Sequence, residues 1–291
     1  MKLLTFDIEE WYNEYKRGGR KEKFAQYDHY LDAVLKKLDE RNLKATFFCV
    51  GEMARLFPDI LKRIQSHGHE IGCHSNAHEW LNKMSMTECR EDTRIAVDSL
   101  EQCTGAKVRS YRAPAFSIGE DNKWAFEILA ENGIERDASI FPAKRAFGGF
   151  PDFGKKVPSI VEYNGCRVKE FPVPTAKVLW MEVAYSGGGY FRFFPLDYVK
   201  WKIAHASYAM CYFHVLDISP ESSAVPSRIE YERYYKEPGT FKNRYLRHLK
   251  TNLGKKSALQ KLSRLLDAFD FVGLDKADDI IDWNSVPVVT L

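Results

Sequence analysis

The chain has 291 residues, 45% of them hydrophobic and 14% aromatic, enough to bury one sizeable core and too apolar to remain disordered over most of its length. Its 43 basic and 40 acidic residues leave a formal charge of only +3, far from the dense basic stripe that a nucleic-acid surface requires, so no nucleic acid is expected as a partner. Six cysteines (Cys49, Cys73, Cys89, Cys103, Cys166 and Cys211) contain no C-x-x-C. That spacing disfavours a zinc ribbon or a dense disulfide framework and leaves reduced, mostly buried thiols.

The first element, Lys2 to Ile8, reads as a short buried strand that stops in acidic residues. A carboxylate arrives there before any apolar run long enough for a signal peptide, and no later run of 18 apolar residues exists to span a bilayer; a cytoplasmic location is the expectation. Tyr27 to Arg41 carries Leu31, Val34, Leu35 and Leu38 at helical spacing, and Ala45 to Val50 reads as a second core strand. The alternation continues with a helix from Glu52 to His67 interrupted at Pro58, a strand at Glu70 to Cys73, a helix from Met86 to Thr104 and a strand at Val108 to Tyr111. A helix at Lys123 to Asn132 and a strand at Ala138 to Phe141 follow, and Ile160 to Pro172 reads as a hairpin turning at Asn164-Gly165. A helix at Leu196 to Ala206 and a strand at Ala209 to Val215 complete a pattern of α/β type, a mostly parallel sheet or barrel wrapped by helices.

After Pro220 the composition changes. Ser222 to Gly239 is polar and tyrosine-rich, Lys242 to Lys256 is basic, and Leu259, Leu262, Leu265, Leu266 and Phe269 share one helical face. Residues 1–220 are therefore expected to form the barrel and 221–291 a helical extension packed on it. The basic run reads as a solvated face that could also meet a phosphate-bearing ligand or a membrane surface.

The sharpest chemical feature is His74-Ser75-Asn76-Ala77-His78, two imidazoles four apart just beyond a short strand, placed to share a metal ion. Asp7 and Glu9 leave the first strand at its carboxyl end, where parallel barrels gather their site loops, and residues two apart on a strand face the same way. One carboxylate and two imidazoles leave coordination positions open for water. Arg112-Ala113-Pro114-Ala115-Phe116 offers a guanidinium and a rigid turn that can aim a backbone N–H. His214 ends the last strand with a group suited to proton transfer near neutral pH. Each feature alone also has an ordinary structural reading.

Taken in order, Thr5-Phe6-Asp7 with Glu9, Thr46-Phe47-Phe48 with Gly51, Gly68-His69-Glu70-Ile71-Gly72, His74-Ser75-x-x-His78, Arg112-x-Pro114 and Phe213-His214 resemble the polysaccharide deacetylases with the NodB homology domain, carbohydrate esterase family 4, over roughly residues 1 to 220. The resemblance implies a distorted (β/α) barrel of that type and one divalent metal ion, usually zinc, held by a carboxylate with His74 and His78. It implies Asp7 as general base, Arg112 as the group that positions it, His214 as general acid, and the Ala115 N–H as an oxyanion donor. Many members have adjacent aspartates where this chain has Asp7-Ile8-Glu9-Glu10, so the ligand is Glu9 or Glu10, and strand alternation favours Glu9. The segment Arg136 to Pro142 lacks the family's usual tryptophan; Asp137 within it is expected to hold Arg112.

The Asp-x-Glu start, the Asp137 to Pro142 segment and Ser186 to Arg192 are most similar to signal-less deacetylases of bacterial surface-glycan assembly, although Val215-Leu216-Asp217 stands where that group has Pro-Trp-Glu. The implied substrate is an N-acetylhexosamine in a precursor or oligosaccharide, with Trp11, Tyr12, Phe116, Trp180 and Tyr190 as candidate pocket walls. Two alternatives stay open: a sugar-binding protein on an inactive scaffold, and a hydrolase of a non-sugar amide or cyclic imidate. The three glycines Gly187 to Gly189 read as a turn, or as a close approach to substrate.

Overall fold

The computed structural model describes every residue except 146–147, 179, 222–223 and 236, and leaves the side chains of Val178 and Met181 undescribed as well. Among the described residues the strands are β1 (Lys2–Ile8), β2 (Thr46–Cys49), β3 (Glu70–Cys73), β4 (Ser110–Tyr111), β5 (Arg136–Asp137), β6 (Ser159–Tyr163), β7 (Cys166–Glu170), β8 (Thr175–Val178), β9 (Met181–Ala184), β10 (Ala209–His214) and β11 (Val288–Thr290). Nine of them form one sheet in the order β10-β1-β2-β3-β4-β5-β7-β6-β11, and β8 pairs only with β9. From β10 to β7 every pairing is parallel. The carboxyl ends of these strands therefore lie along one edge.

Alternation along the strands divides the core in two. Leu4, Phe6 and Ile8 of β1, Phe47 and Cys49 of β2, and Cys211 and Phe213 of β10 pack outward under the helices. Leu3, Phe48, Met210 and Tyr212 point the other way, into a second cluster with Phe116, Phe141 and Phe171. Arg112, just past β4, reaches Thr5 and Asp7 of β1, the ring of Phe48 on β2, and Met210 on β10. Contact between strands four places apart in the sheet shows that the sheet curls around that interior. The fold is the distorted (β/α) barrel.

Most elements form where their periodicity places them. The helix at Met86–Thr104 is closed at its start by a Ser85/Glu88 capping box and at its end by Gly105 in the left-handed region. Pro58 divides the expected Glu52 to His67 helix into Gly51–Leu56 and Pro58–Ser66 because a residue without an N–H suits the first turn of a new helix. The hairpin β6–β7 turns at Asn164 and Gly165, with φ of 46° and 81°.

Five features depart from expectation. Ala138 to Phe141 is not a strand: the paired residues are Arg136 and Asp137, because after the Ala138 N–H, which still donates to the Tyr111 carbonyl, those of Ser139 and Ile140 donate to the carboxylates of Asp137 and Glu170. A helix at Glu10–Tyr15 follows β1 directly, and the β8–β9 hairpin had no clear alternation to betray it. Gly187 is required for packing, since a Cβ there would lie 2.3 Å from the Tyr212 ring. The segment after 220 supplies helices at Arg228–Tyr235, Phe241–Asn252, Ala258–Leu266 and Leu274–Ile280, but it also adds β11 to the sheet edge and bridges Val272 to Leu3. Leu262, Leu265 and Leu266 are buried as their spacing predicts. All six cysteines are free, four of them buried. No helix among the described residues is long and apolar enough to cross a membrane.

Candidate metal and catalytic site

Glu9, His74 and His78 converge at the carboxyl edge, each with one ligand atom, and these atoms lie within 4.8 Å of one another. His78 Nε2 touches Glu9 Oε2, and His74 Nε2 lies 3.7 Å from the same oxygen. The Nδ1 of His74 is 2.7 Å from the Arg112 carbonyl oxygen, which fixes the ring and leaves Nε2 free to ligate. Burial works against the Glu9 charge, but the two imidazoles outweigh it and hold the carboxyl well below its usual range. This donor set fits a divalent ion with open positions. Glu10 takes no part: its Oε1 accepts from the Leu216 N–H at 2.9 Å and its Oε2 from the Glu9 N–H, and burial raises its carboxyl to about 7.

Asp7 lies at register with His214 across β1 and β10 and is almost fully buried. Its Oδ1 accepts from Arg112 Nη1 at 2.8 Å, and the same nitrogen donates to Thr5 Oγ1 at 2.8 Å. Arg112 Nε donates to the Ala138 carbonyl, and the guanidinium lies 4.3 Å from the centre of the Phe48 ring. The expectation that Asp137 holds Arg112 is corrected by these contacts. Asp137 instead accepts from Ser139 Oγ at 2.6 Å, and that hydroxyl oxygen accepts from the Ala113 N–H at 2.7 Å. Asp137 thus braces the turn after Arg112. Its second neighbour is the buried Glu170: burial raises both carboxyls, and Glu170 is raised further by the Asp137 charge and the hydrogen bond between the two.

His214 faces the triad from the other side. Its Nε2 lies 3.9 Å from Asp7 Oδ2 and 4.0 Å from Glu9 Oε1, while Nδ1 is 2.9 Å from Asp217 Oδ2. Burial opposes a charge on the ring, but Asp217, Glu9 and Asp7 together hold its pKa well above the ordinary value. Asp217 also pairs with Arg192 and, despite its burial, is held at about 2. A cation at the triad would offset the share that Glu9 contributes. Asp217 escaped the sequence reading, yet its place as third residue of the helix after His214, in a capping box with it, is a readable signal.

Backbone strain gathers here. Of the six described residues other than glycine with positive φ, Asn42 and Asn164 are turn asparagines, and the other four are Ser75, His78, Ala115 and Phe116. The His74 to His78 loop is braced by Asp92, whose Oδ2 accepts from the Asn76 N–H at 2.8 Å and whose burial raises it to about 6. Nothing in a helix-interior aspartate announced that role. From the segment after 220, Tyr234 meets the edge of the Trp80 ring at 6.4 Å and stands near enough to Glu9 that this charge, after burial, pushes its phenol up. Of the candidate walls, Phe116 and Tyr190 pack at the barrel interior, Trp11 and Tyr12 are buried under the helices, and Trp180 is exposed to solvent.

Residues 3–135 match the family described as polysaccharide deacetylase, and residues 138–278 match a domain of unknown function, DUF3473. A peptidoglycan-N-acetylglucosamine deacetylase of Bacillus cereus is 40% identical over 99 residues, 34% of this chain and 36% of that protein. A peptidoglycan deacetylase of Helicobacter pylori is 29% identical over 112 residues, 38% of this chain and 36% of that protein. The chain thus spans little more than a third of these relatives' length. A crystal structure from Mycobacterium smegmatis, assigned to the polysaccharide deacetylases, covers 100% of this chain and 92% of its own at a TM-score of 0.64 and 17% identity, which shows a shared fold.

Proposed function

Residues 3–135 carry the pattern of the polysaccharide deacetylase family, and from that premise we propose that the chain hydrolyses the N-acetyl group of an N-acetylated sugar in a glycan or glycan precursor. The observation that carries this reading is the placement of Asp7 and His214 beside one Glu9-His74-His78 cluster, all at the carboxyl edge of the barrel. Glu9, His74 and His78 would hold a divalent ion, for which zinc suits the donor set, and that ion would supply Lewis acidity toward the acetyl carbonyl and make a bound water more acidic.

The remaining steps fall to the chain's own residues. Asp7, fixed by Arg112, accepts a proton from the attacking water. The carbonyl carbon becomes tetrahedral, and the Ala115 N–H, held in a strained turn, donates to the oxygen that gains the charge. The C–N bond then breaks as His214, aligned by Asp217, gives its proton to the departing nitrogen. Acetate and a free amino sugar result. Tyr234 and Tyr235, half-buried and near Glu9, provide aromatic rings on which a sugar can stack.

An inactive sugar-binding scaffold would have no need of a buried Asp7–Arg112 pair and an aligned imidazole at the same point. The test is mass spectrometry of N-acetylhexosamine substrates, free, diphosphate-linked and oligomeric, after incubation with metal-loaded protein. Loss of one acetyl group from a sugar is the expected result. Turnover of simple amides or cyclic imidates without any sugar turnover, or none at all by folded and metal-loaded protein, would overturn the reading.

A further inference from the structure

The helix at Phe241–Asn252 is oriented against the usual rule for a surface helix, because none of its residues is buried. Its exposed positions are Phe241, Lys242, Tyr245, Leu246, Leu249 and Lys250, continued by Leu253, and they form one stripe along the helix. The apolar members of that stripe are between 43% and 69% open to solvent. The half-buried side is the polar one. Arg244 donates to the Pro226 carbonyl at 3.0 Å, and Arg247 lies 4.3 Å over the Tyr235 ring. At the carboxyl end, Gly254 packs on the Arg192 backbone, and the next residue there, Phe193, is 64% exposed.

We propose that this helix is a peripheral docking element for an anionic phospholipid surface, with Phe241, Tyr245, Leu246, Leu249 and Leu253 entering the interface and Lys242 and Lys250 meeting headgroups. A helix of 12 residues is about 18 Å long, too short to span a bilayer and suited to lying in its plane. Charge decides between lipid and a second copy of the chain. From Pro238 to Leu266 the sequence has no Asp or Glu, so stripe-on-stripe packing of two copies would set cation against cation, whereas an anionic surface complements every charge. The helix packs through Arg247 on the helix that carries Tyr234, and so stands one element away from Glu9. The advantage of that placement for a lipid-held glycan rests on the proposed function; the docking itself does not.

The test is flotation of the full metal-loaded chain with phosphatidylcholine vesicles and with phosphatidylcholine/phosphatidylglycerol vesicles, read without any catalytic assay. The chain should float with the anionic vesicles, increasingly less as salt rises, and not with the neutral ones. At about 1 kcal/mol per surface cation, Lys242→Ala/Lys250→Ala should partition about 30-fold more weakly. Leu246→Glu/Leu249→Glu should not float, while retaining its circular dichroism and its metal content. Failure of the wild-type chain to float with anionic vesicles would overturn the proposal. So would sedimentation showing a dimer that Leu246→Glu/Leu249→Glu disperses, which would make a second copy the occupant.

Discussion

His214 shows how much one side chain owes to its neighbours. Its ring needs a proton to serve the leaving nitrogen, and Asp217, Glu9 and Asp7 raise its pKa so that the protonated form persists through neutral pH. Deprotonation then sets the alkaline limb of activity. Asp217→Asn removes one of the charges that favours the imidazolium, so the alkaline limb of kcat/KM should move to lower pH; an unmoved limb would deny Asp217 its role. His214→Ala should slow hydrolysis of a sugar acetamide by about 100- to 10,000-fold and harm an activated aryl ester less, since that leaving group needs no proton. Equal losses on both substrates would assign His214 another task. Asp7, Glu9, His74, His78 and His214 were legible because each stands at or just beyond a strand end. Asp217 was legible in principle as a cap, and Asp92 was not, because its contact with the histidine loop crosses from a helix interior and leaves no local pattern.

At the scale of elements, the turn from Arg112 to Phe116 depends on residues that follow β5. Ser139 links Asp137 to the Ala113 N–H, and the same diversion of N–H groups onto carboxylates removes Ala138 to Phe141 from the sheet. The hydrophobic run suggested a strand there; hydrogen bonds to Asp137 and Glu170 won. Ser139→Ala leaves the Ala113 N–H unpaired in a buried place, a loss of about 1–3 kcal/mol. It should lower kcat by roughly tenfold or more through the oxyanion turn while metal content stays at the wild-type level, a combination that metal analysis and steady-state kinetics will check. On the far side of the site, Tyr234 comes from a segment legible only as tyrosine-rich. Its proximity to Glu9 depends on how the last helices pack on the barrel. Tyr234→Ala should raise KM for an oligosaccharide more than it lowers kcat; an unchanged KM would remove Tyr234 from the sugar's path.

Across the whole molecule, the buried Asp137–Glu170 pair links fold stability to pH. Burial raises both carboxyls, and the Asp137 charge raises Glu170 the further, so the folded chain retains a proton that the unfolded chain releases above the ordinary carboxylate range. Where the folded state binds more protons, stability falls as pH rises. Melting temperature should therefore decline from about pH 5 upward on account of this pair, and Glu170→Gln, which cannot ionise, should flatten that slope; an unchanged slope would place the proton elsewhere. The barrel itself was legible from the alternation of strands and helices. The return of the chain end to the sheet through Val272 and β11 was not, since a single bridge and a strand of three residues are too short to read. Asp7 and Glu9 do different work although they lie two residues apart. Acetate release and bound metal, measured together on Asp7→Asn and Glu9→Ala, separate them most directly. Asp7→Asn should retain its metal and lose hydrolysis by at least about 100-fold, and Glu9→Ala should lose both; metal lost from Asp7→Asn and retained by Glu9→Ala would contradict the assignment.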